Sequence, residues 1–212
     1  MFRTMVFIDY QNFNINLQEH YNGKQFKSIN YQELAKAINK RLTLESQVIK
    51  TYLFAYKPCE QLMKVEKYSK YYEWLCKIRK TPYFEIIEGR QEIRPIHGVA
   101  LDIKNDSTYT TEEKETDINL ATHMVAKGFQ NAYDIAILVS GDTDYVKVIE
   151  TLHSIGKIAV IAHFQHQNIA KYENVMDSHI VLYDNILNES VNKKDNSNKS
   201  KESKHKILEQ EN

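Results

Sequence analysis

Two short apolar runs that both lead into carboxylates constrain this chain more than any other feature. Residues 5–10, MVFIDY, and residues 134–139, DIAILV, are apolar without alternation and too short for helices. That is the pattern of strands buried on both faces. The first run reaches Asp9 and a polar cluster; the second is followed at once by Ser140-Gly141-Asp142-Thr143-Asp144. Strands covered on both faces need helices on both sides, so a parallel α/β sheet is expected.

The rest of the chain fits that alternation. Gln47–Tyr56 and Tyr83–Glu88 read as the second and third strands, and Ile158–Phe164 and His179–Tyr183 close the sheet. Asn30 followed by Glu33 forms a capping-box pattern, opening a helix with Tyr31, Leu34, Ile38 and Leu42 on one face. The spacing predicts a helix over Glu60–Lys80, with Leu62, Val65, Tyr68, Tyr72, Leu75 and Cys76 as its buried stripe. Another starts near Asp117 and carries Ile118, Ala121, Met124 and Val125. A further helix runs through Val146, Ile149 and Leu152 to Gly156, a suitable residue just past a helix end. Gly89, Pro95 and Gly98 punctuate residues 89–113, which read as a hairpin or a long irregular excursion. Residues 1–187 are expected to form one domain, and the Lys/Ser/Asn-rich residues 188–212 a disordered tail.

Charge appears uninformative as a total, with 28 basic and 28 acidic side chains. By position it is not. Residues 1–84 hold 14 basic and 7 acidic side chains, whereas residues 85–188 hold 8 and 16. The asymmetry is either ordinary solvated surface or the mark of a fold that brings a carboxylate cluster next to a basic surface, which suits a metal site working on a phosphate backbone. Two cysteines, Cys59 and Cys76, make neither a disulfide framework nor a four-ligand zinc site, so a reducing, cytoplasmic setting is expected. No apolar run approaches the roughly 20 residues needed to cross a bilayer, and no membrane partner is expected. The opening MFRTMVFIDYQNF meets a carboxylate and two amides too early for a secretory leader.

In an open parallel sheet, ligands bind outside the carboxyl ends of the strands. Asp9, Asp142 and Asp144 fall there, and Asp117, at a helix N-terminus, can join from the side. Carboxylates without a His/Cys set imply a hard cation, Mg²⁺ or Mn²⁺. Taken singly, Asp142 and Asp117 would be ordinary helix caps. Asp9 is different, because a carboxylate ending an apolar strand has no cap to make unless a helix begins there. The chain contains no GxGxxG, GxxxxGK[ST] or GxSxG sequence, which removes dinucleotide, P-loop and serine-hydrolase readings. His153, His163 and His166 read as supporting or surface residues rather than ligands. Lys64, Lys67, Lys70, Lys77, Arg79 and Lys80, interleaved with Tyr71 and Trp74, form a surface suited to single-stranded nucleic acid.

Three ordered motifs, Phe7-Ile8-Asp9-Tyr10-Gln11-Asn12-Phe13, Lys114-Glu115-Thr116-Asp117 and Leu138-Val139-Ser140-Gly141-Asp142-Thr143-Asp144-Tyr145, resemble those of the NYN domain family of the PIN-like nuclease superfamily. The resemblance spans roughly residues 5–184 and includes the late segment SHIVLYD. It implies a Rossmann-like, PIN-like three-layer sandwich with a central, mostly parallel sheet. It implies a Mg²⁺- or Mn²⁺-dependent (endo)ribonuclease acting on single-stranded or structured RNA, with single-stranded DNA as the other candidate substrate. Asp9, Asp117, Asp142 and Asp144 are then the catalytic, metal-binding carboxylates. Asn12 and Ser140 support them, and Lys114 lies near the substrate phosphate with the helix lysines. By analogy the family also allows a homodimer.

There are departures from the family pattern. Tyr145 stands where the family usually has Phe, Lys147 where a small residue or Pro is common, and 89–113 exceeds a compact member's needs. A rival reading keeps the fold as a non-catalytic RNA-binding or regulatory module. A phosphatase reading is weakened because Asp9-Tyr10-Gln11 lacks a second carboxylate two residues on.

Overall fold

The expected apolar strands are in the centre of the sheet. The computed structural model describes residues 1–24 and 26–191. In chain order the elements are β1 (Phe2–Asp9), α1 (Tyr10–His20), α2 (Tyr31–Asn39), β2 (Ser46–Pro58), α3 (Glu66–Ile78), β3 (Phe84–Pro95), β4 (Tyr109–Lys114) and α4 (Thr116–Phe129). They continue as β5 (Ile135–Val139), α5 (Val146–Ser154), β6 (Ile158–His163), β7 (Ser178–Val181) and α6 (Asp184–Glu189). The strands form one sheet in the order β4-β3-β2-β1-β5-β6-β7. Every neighbouring pair is parallel except β3 and β4. This is the α/β sandwich the sequence implies.

Alternate residues of the central strands feed two cores. Val6 and Ile8 of β1, with Ile135, Ile137 and Val139 of β5, pack under Phe13, Leu34, Ile38, Leu75 and Leu187. On the opposite face, Met5, Phe7, Ala136 and Leu138 meet Leu120 and Met124 of α4 and Ile149 and Leu152 of α5. Burying each such Leu or Ile contributes roughly 1.5–3 kcal/mol.

Three expectations are corrected. A helix, α1, does begin directly after Asp9, although its sequence, YQNFNINLQEH, buries only Phe13 and Leu17. So polar a segment has weak intrinsic helicity, and the helix is held by tertiary packing. In the 60–80 segment, a 3-10 turn at Leu62–Lys64 is followed by extended Val65 before α3 starts. That break resets the helical phase: Cys76 is exposed, while Tyr71, Trp74, Leu75 and Ile78 pack on the core. Ile118 is 71% exposed, and Leu120 takes the inward position in α4 instead.

Residues 89–113 form the expected hairpin. β3 continues through Gly89 to Pro95, and β4 returns antiparallel with Glu113 opposite Gln91 and Lys114 opposite Arg90. Asn30 caps α2 by accepting from the Gln32 and Glu33 amides, but Glu33 pairs with Lys36 at 2.7 Å instead of closing a capping box. The Asn30 amide donates to the Ser190 carbonyl at 2.7 Å, and Val191 bridges Ile29. The chain is therefore built into the domain as far as Val191; residues 192–212 of the expected tail lie outside the described residues. Among the described residues, no helix is long and apolar enough to cross a membrane, and Cys59 and Cys76 are both free.

Candidate metal centre

β1 lies between β2 and β5, so the chain leaves β1 towards one side of the sheet and later returns on the other. At such a switch point the loops after the two strands separate and leave a crevice. Ile8 is level with Val139, which sets Asp9 beside Ser140 at the carboxyl ends. Asp9 is only 4% exposed. Its Oδ1 accepts from the Asn12 amide at 3.1 Å, capping α1, and its Oδ2 accepts from the Ser140 hydroxyl at 3.1 Å. Asp9 is thus both a cap and a crevice carboxylate. Burial pushes its carboxyl up to about 6, with the charges of Asp117 and Asp142 acting in the same direction.

The Ser140–Tyr145 loop is organised by short-range bonds. Asp142 caps the 3-10 turn Thr143–Tyr145 by accepting from the Asp144 amide at 3.0 Å, and the Asp142 amide donates to Ser140 Oγ at 3.1 Å. Asn12 supports this loop rather than the carboxylates, its Oδ1 accepting from the Gly141 amide at 3.2 Å and from Gln167 at 2.9 Å. A methyl group at Gly141 would displace the amide end of the Gln167 side chain. The Tyr172 hydroxyl donates to the Asp142 carbonyl, and Lys171 donates to Thr143 Oγ1 at 3.3 Å. Gln167, Lys171 and Tyr172 carry no motif, so nothing in their sequence marks them.

Asp117 lies in the first turn of α4. Its Oδ1 accepts from the Tyr145 hydroxyl at 2.9 Å, and the same hydroxyl lies 3.5 Å from Asp9 Oδ2. One phenol therefore stands between two carboxylates. Burial and those neighbouring charges push its own ionisation well above the usual tyrosine range, so it remains a neutral donor. The departure from Phe is consequently a change in the centre's electrostatics, not a mild one. Tyr145→Phe should cost the metal-free protein about 1–2 kcal/mol, because it removes a buried donor from two facing carboxylates. A bound divalent cation would offset those charges, so the gap in melting temperature between metal-free and Mn²⁺-loaded protein should widen. An equal drop in both states would show that the hydroxyl acts only in packing.

Glu113 is the residue that sequence analysis missed. It sits on β4 with both carboxylate oxygens buried and only the nearby Thr116 hydroxyl favouring its charged form. Burial pushes its carboxyl up to about 7, and the charges of Asp9 and Asp117 add to that rise. The available signal was strand alternation in the Glu112-Glu113 pair: Glu112 faces out to Arg94, so Glu113 faces in.

The other predicted residues are more scattered. Asp144 is exposed on the loop. Lys114 is 3.4 Å from Glu112. Lys67 is paired with Asp106 and Lys70 with Glu66, so part of the expected basic face is neutralised within the chain. Lys64 and Lys77 lie on the same segment as Lys67 and Lys70, with Lys64 in the 3-10 turn before α3. His153 pairs with Asp177, His166 bonds Asn16, and buried His163 bonds His179, all consistent with supporting or surface roles.

Among the described residues, no three His, Cys, Asp or Glu side chains are arranged to hold an ion between protein ligands alone. That fits the way Mg²⁺ binds, through one or two carboxylates with water and substrate phosphate oxygens completing its shell. The buried Glu113 oxygens and the desolvated Asp9 carboxyl supply the unmatched negative charge that such a cation neutralises.

The sequence model of the NYN domain family matches residues 3–183. No curated protein matches the chain. Among solved structures, the fold is similar to that of a protein of unknown function from Vibrio parahaemolyticus, with a TM-score of 0.55 and 17% identity. The match covers 86% of this chain and 94% of that one. At that identity the likeness concerns the fold alone.

Proposed function

From the premise that this chain belongs to the NYN domain family, a family of PIN-like nucleases, we propose that it is a divalent-metal-dependent ribonuclease. The observation that carries this reading is the convergence of Asp9, Asp117 and Asp142 at the β1/β5 crevice, with the buried carboxylate of Glu113 beside them. Asp9, Asp117, Asp142 and Asp144 are the candidate carboxylates, of which one or two would hold Mg²⁺ or Mn²⁺ directly, with Glu113 as an added source of negative charge. When bound, the cation would lower the pKa of a water and offset charge on the scissile phosphate.

The protein's own groups do the rest. Ser140 fixes Asp9 by donating to Oδ2 and fixes Asp142 by accepting its amide, so one hydroxyl sets the relative position of two carboxylates. Asn12 and Gln167 hold the Gly141 turn against α1, and Tyr145 orients Asp117. Lys171, which donates to Thr143 Oγ1 of the acidic loop, and Lys114 at the end of β4 are the cations that would meet substrate phosphates.

Incubation with single-stranded RNA, single-stranded DNA and a generic phosphate ester, with and without Mn²⁺, tests the proposal. RNA should be cleaved only with the metal, and Asp142→Asn should lower the rate at least 100-fold, the scale of removing a group that acts on transition-state charge. RNA binding with no metal-dependent cleavage would favour the non-catalytic module. Turnover of the small ester alone would favour a phosphatase.

A further inference from the structure

Aromatic side chains gather outside the carboxylate crevice, around the first turn of α1. A pocket of about 480 Å³ opens between α1, residues 23, 24 and 26–29, and α3. Its walls include Tyr10, Tyr31, Trp74 and Phe26, and Lys24 and Lys27 stand at its rim. The Tyr10 and Trp74 ring centroids are 5.5 Å apart, and Tyr31 lies 6.3 Å from Tyr10 and 6.2 Å from Trp74. Tyr10 and Trp74 are half-buried and line the pocket. Asn14 and Gln18, one and two turns beyond Tyr10 on α1, add amide donors and acceptors to the same lining.

Tyr10 opens α1 directly after Asp9, and Glu113 of the crevice is close enough for its charge to raise the ionisation of the Tyr10 hydroxyl. Tilted and edge-on aromatic rings with neighbouring amides and a cationic rim match the chemistry of a nucleotide: a flat base, an edge of donors and acceptors, and an anionic phosphate. We propose that this pocket receives a nucleobase of single-stranded RNA flanking the phosphate at Asp9, stacked on Tyr10 and Trp74, with Lys24 and Lys27 meeting the adjoining phosphates. The assignment deepens the ribonuclease reading and rests on it for the direction of the strand.

Trp74 is the only tryptophan in the chain, so its fluorescence reports this pocket alone. The full protein is titrated in EDTA with short single-stranded oligoribonucleotides, duplex RNA and free mononucleotides. Single-stranded RNA should change Trp74 emission saturably and duplex RNA should not. Tyr10→Leu should weaken binding about tenfold. Because Tyr10 also packs on the core, the exposed pair Lys24→Gln/Lys27→Gln provides a second variant, expected to weaken binding several-fold and flatten its salt dependence.

Absence of a saturable Trp74 response would overturn the proposal. So would a response indifferent to the lysine pair, or mononucleotide binding that RNA cannot displace. Binding in EDTA is read without catalysis, so the two readings fail separately. Metal-dependent cleavage with a silent Trp74 removes the pocket and leaves the ribonuclease. A responsive Trp74 with cleavage unaffected by Asp142→Asn does the reverse.

Discussion

Asp9→Asn should abolish metal-dependent RNA cleavage and, in the absence of metal, make the protein more stable. Both effects have one origin. An acid whose folded pKa is raised binds its proton more tightly in the folded state, so ionising it costs folding free energy. Asp9 rises from 3.8 to about 6 and Glu113 from 4.5 to about 7, burial being the main cause for each. The metal-free protein should therefore lose stability as the pH climbs from about 4 to about 7, and remain at the lower level above that. The Asp9 shift corresponds to roughly 2–3 kcal/mol. Asn keeps an oxygen for the Asn12 amide while removing the charge, so most of that penalty should disappear at pH 8. Thermal melts in EDTA at pH 5 and pH 8 measure it: the wild-type protein should melt lower at pH 8, and the variant should show a smaller difference. A variant that is less stable than wild type at pH 8 would mean that the carboxylate is primarily a helix cap.

Gly89→Ala should be the most damaging single change outside the crevice. Gly89 lies in β3 with the turn from β4 to α4 packed directly on its backbone. A methyl group there would overlap the Lys114 carbonyl and the Thr116 hydroxyl and amide. That turn already holds Glu115 in the left-handed region at φ 73°, so it has little freedom to move away. The overlap should cost about 2–3 kcal/mol by forcing the backbone apart. It should also displace Asp117, which begins two residues after Glu115. Misplacing a catalytic group by about 1 Å can cost on the order of 100-fold in rate. The expected result is a lower melting temperature together with a cleavage loss of that order. Wild-type cleavage in a folded Gly89→Ala protein would break the link between the hairpin and the site.

What could be read from the sequence follows from where the physics is local. Buried parallel strands announce themselves as continuous apolar runs, so β1, β2 and β5 were identifiable, and their ends marked Asp9, Asp142 and Asp144. Asp117 was found through its motif and its place at a helix N-terminus. α1 was not legible because it is polar and depends on packing of Phe13 and Leu17. The phase of α3 was misread because one extended residue, Val65, interrupts the pattern without any Gly or Pro to signal it. Gln167 and Tyr172 enter the site through tertiary proximity across long sequence separations, which no spacing rule encodes, whereas Glu113 is marked only by strand alternation. The meaning of Tyr145 was likewise hidden, since a hydroxyl matters only once two carboxylates are known to face it.

The account centres on a divalent cation bound at the β1/β5 crevice. An anomalous difference map from crystals grown with Mn²⁺ tests it most directly. A peak in contact with Asp9 or Asp142, absent in Asp9→Asn, is the predicted result. A metal-soaked crystal with no peak in that crevice, from protein that still cleaves RNA, would contradict it.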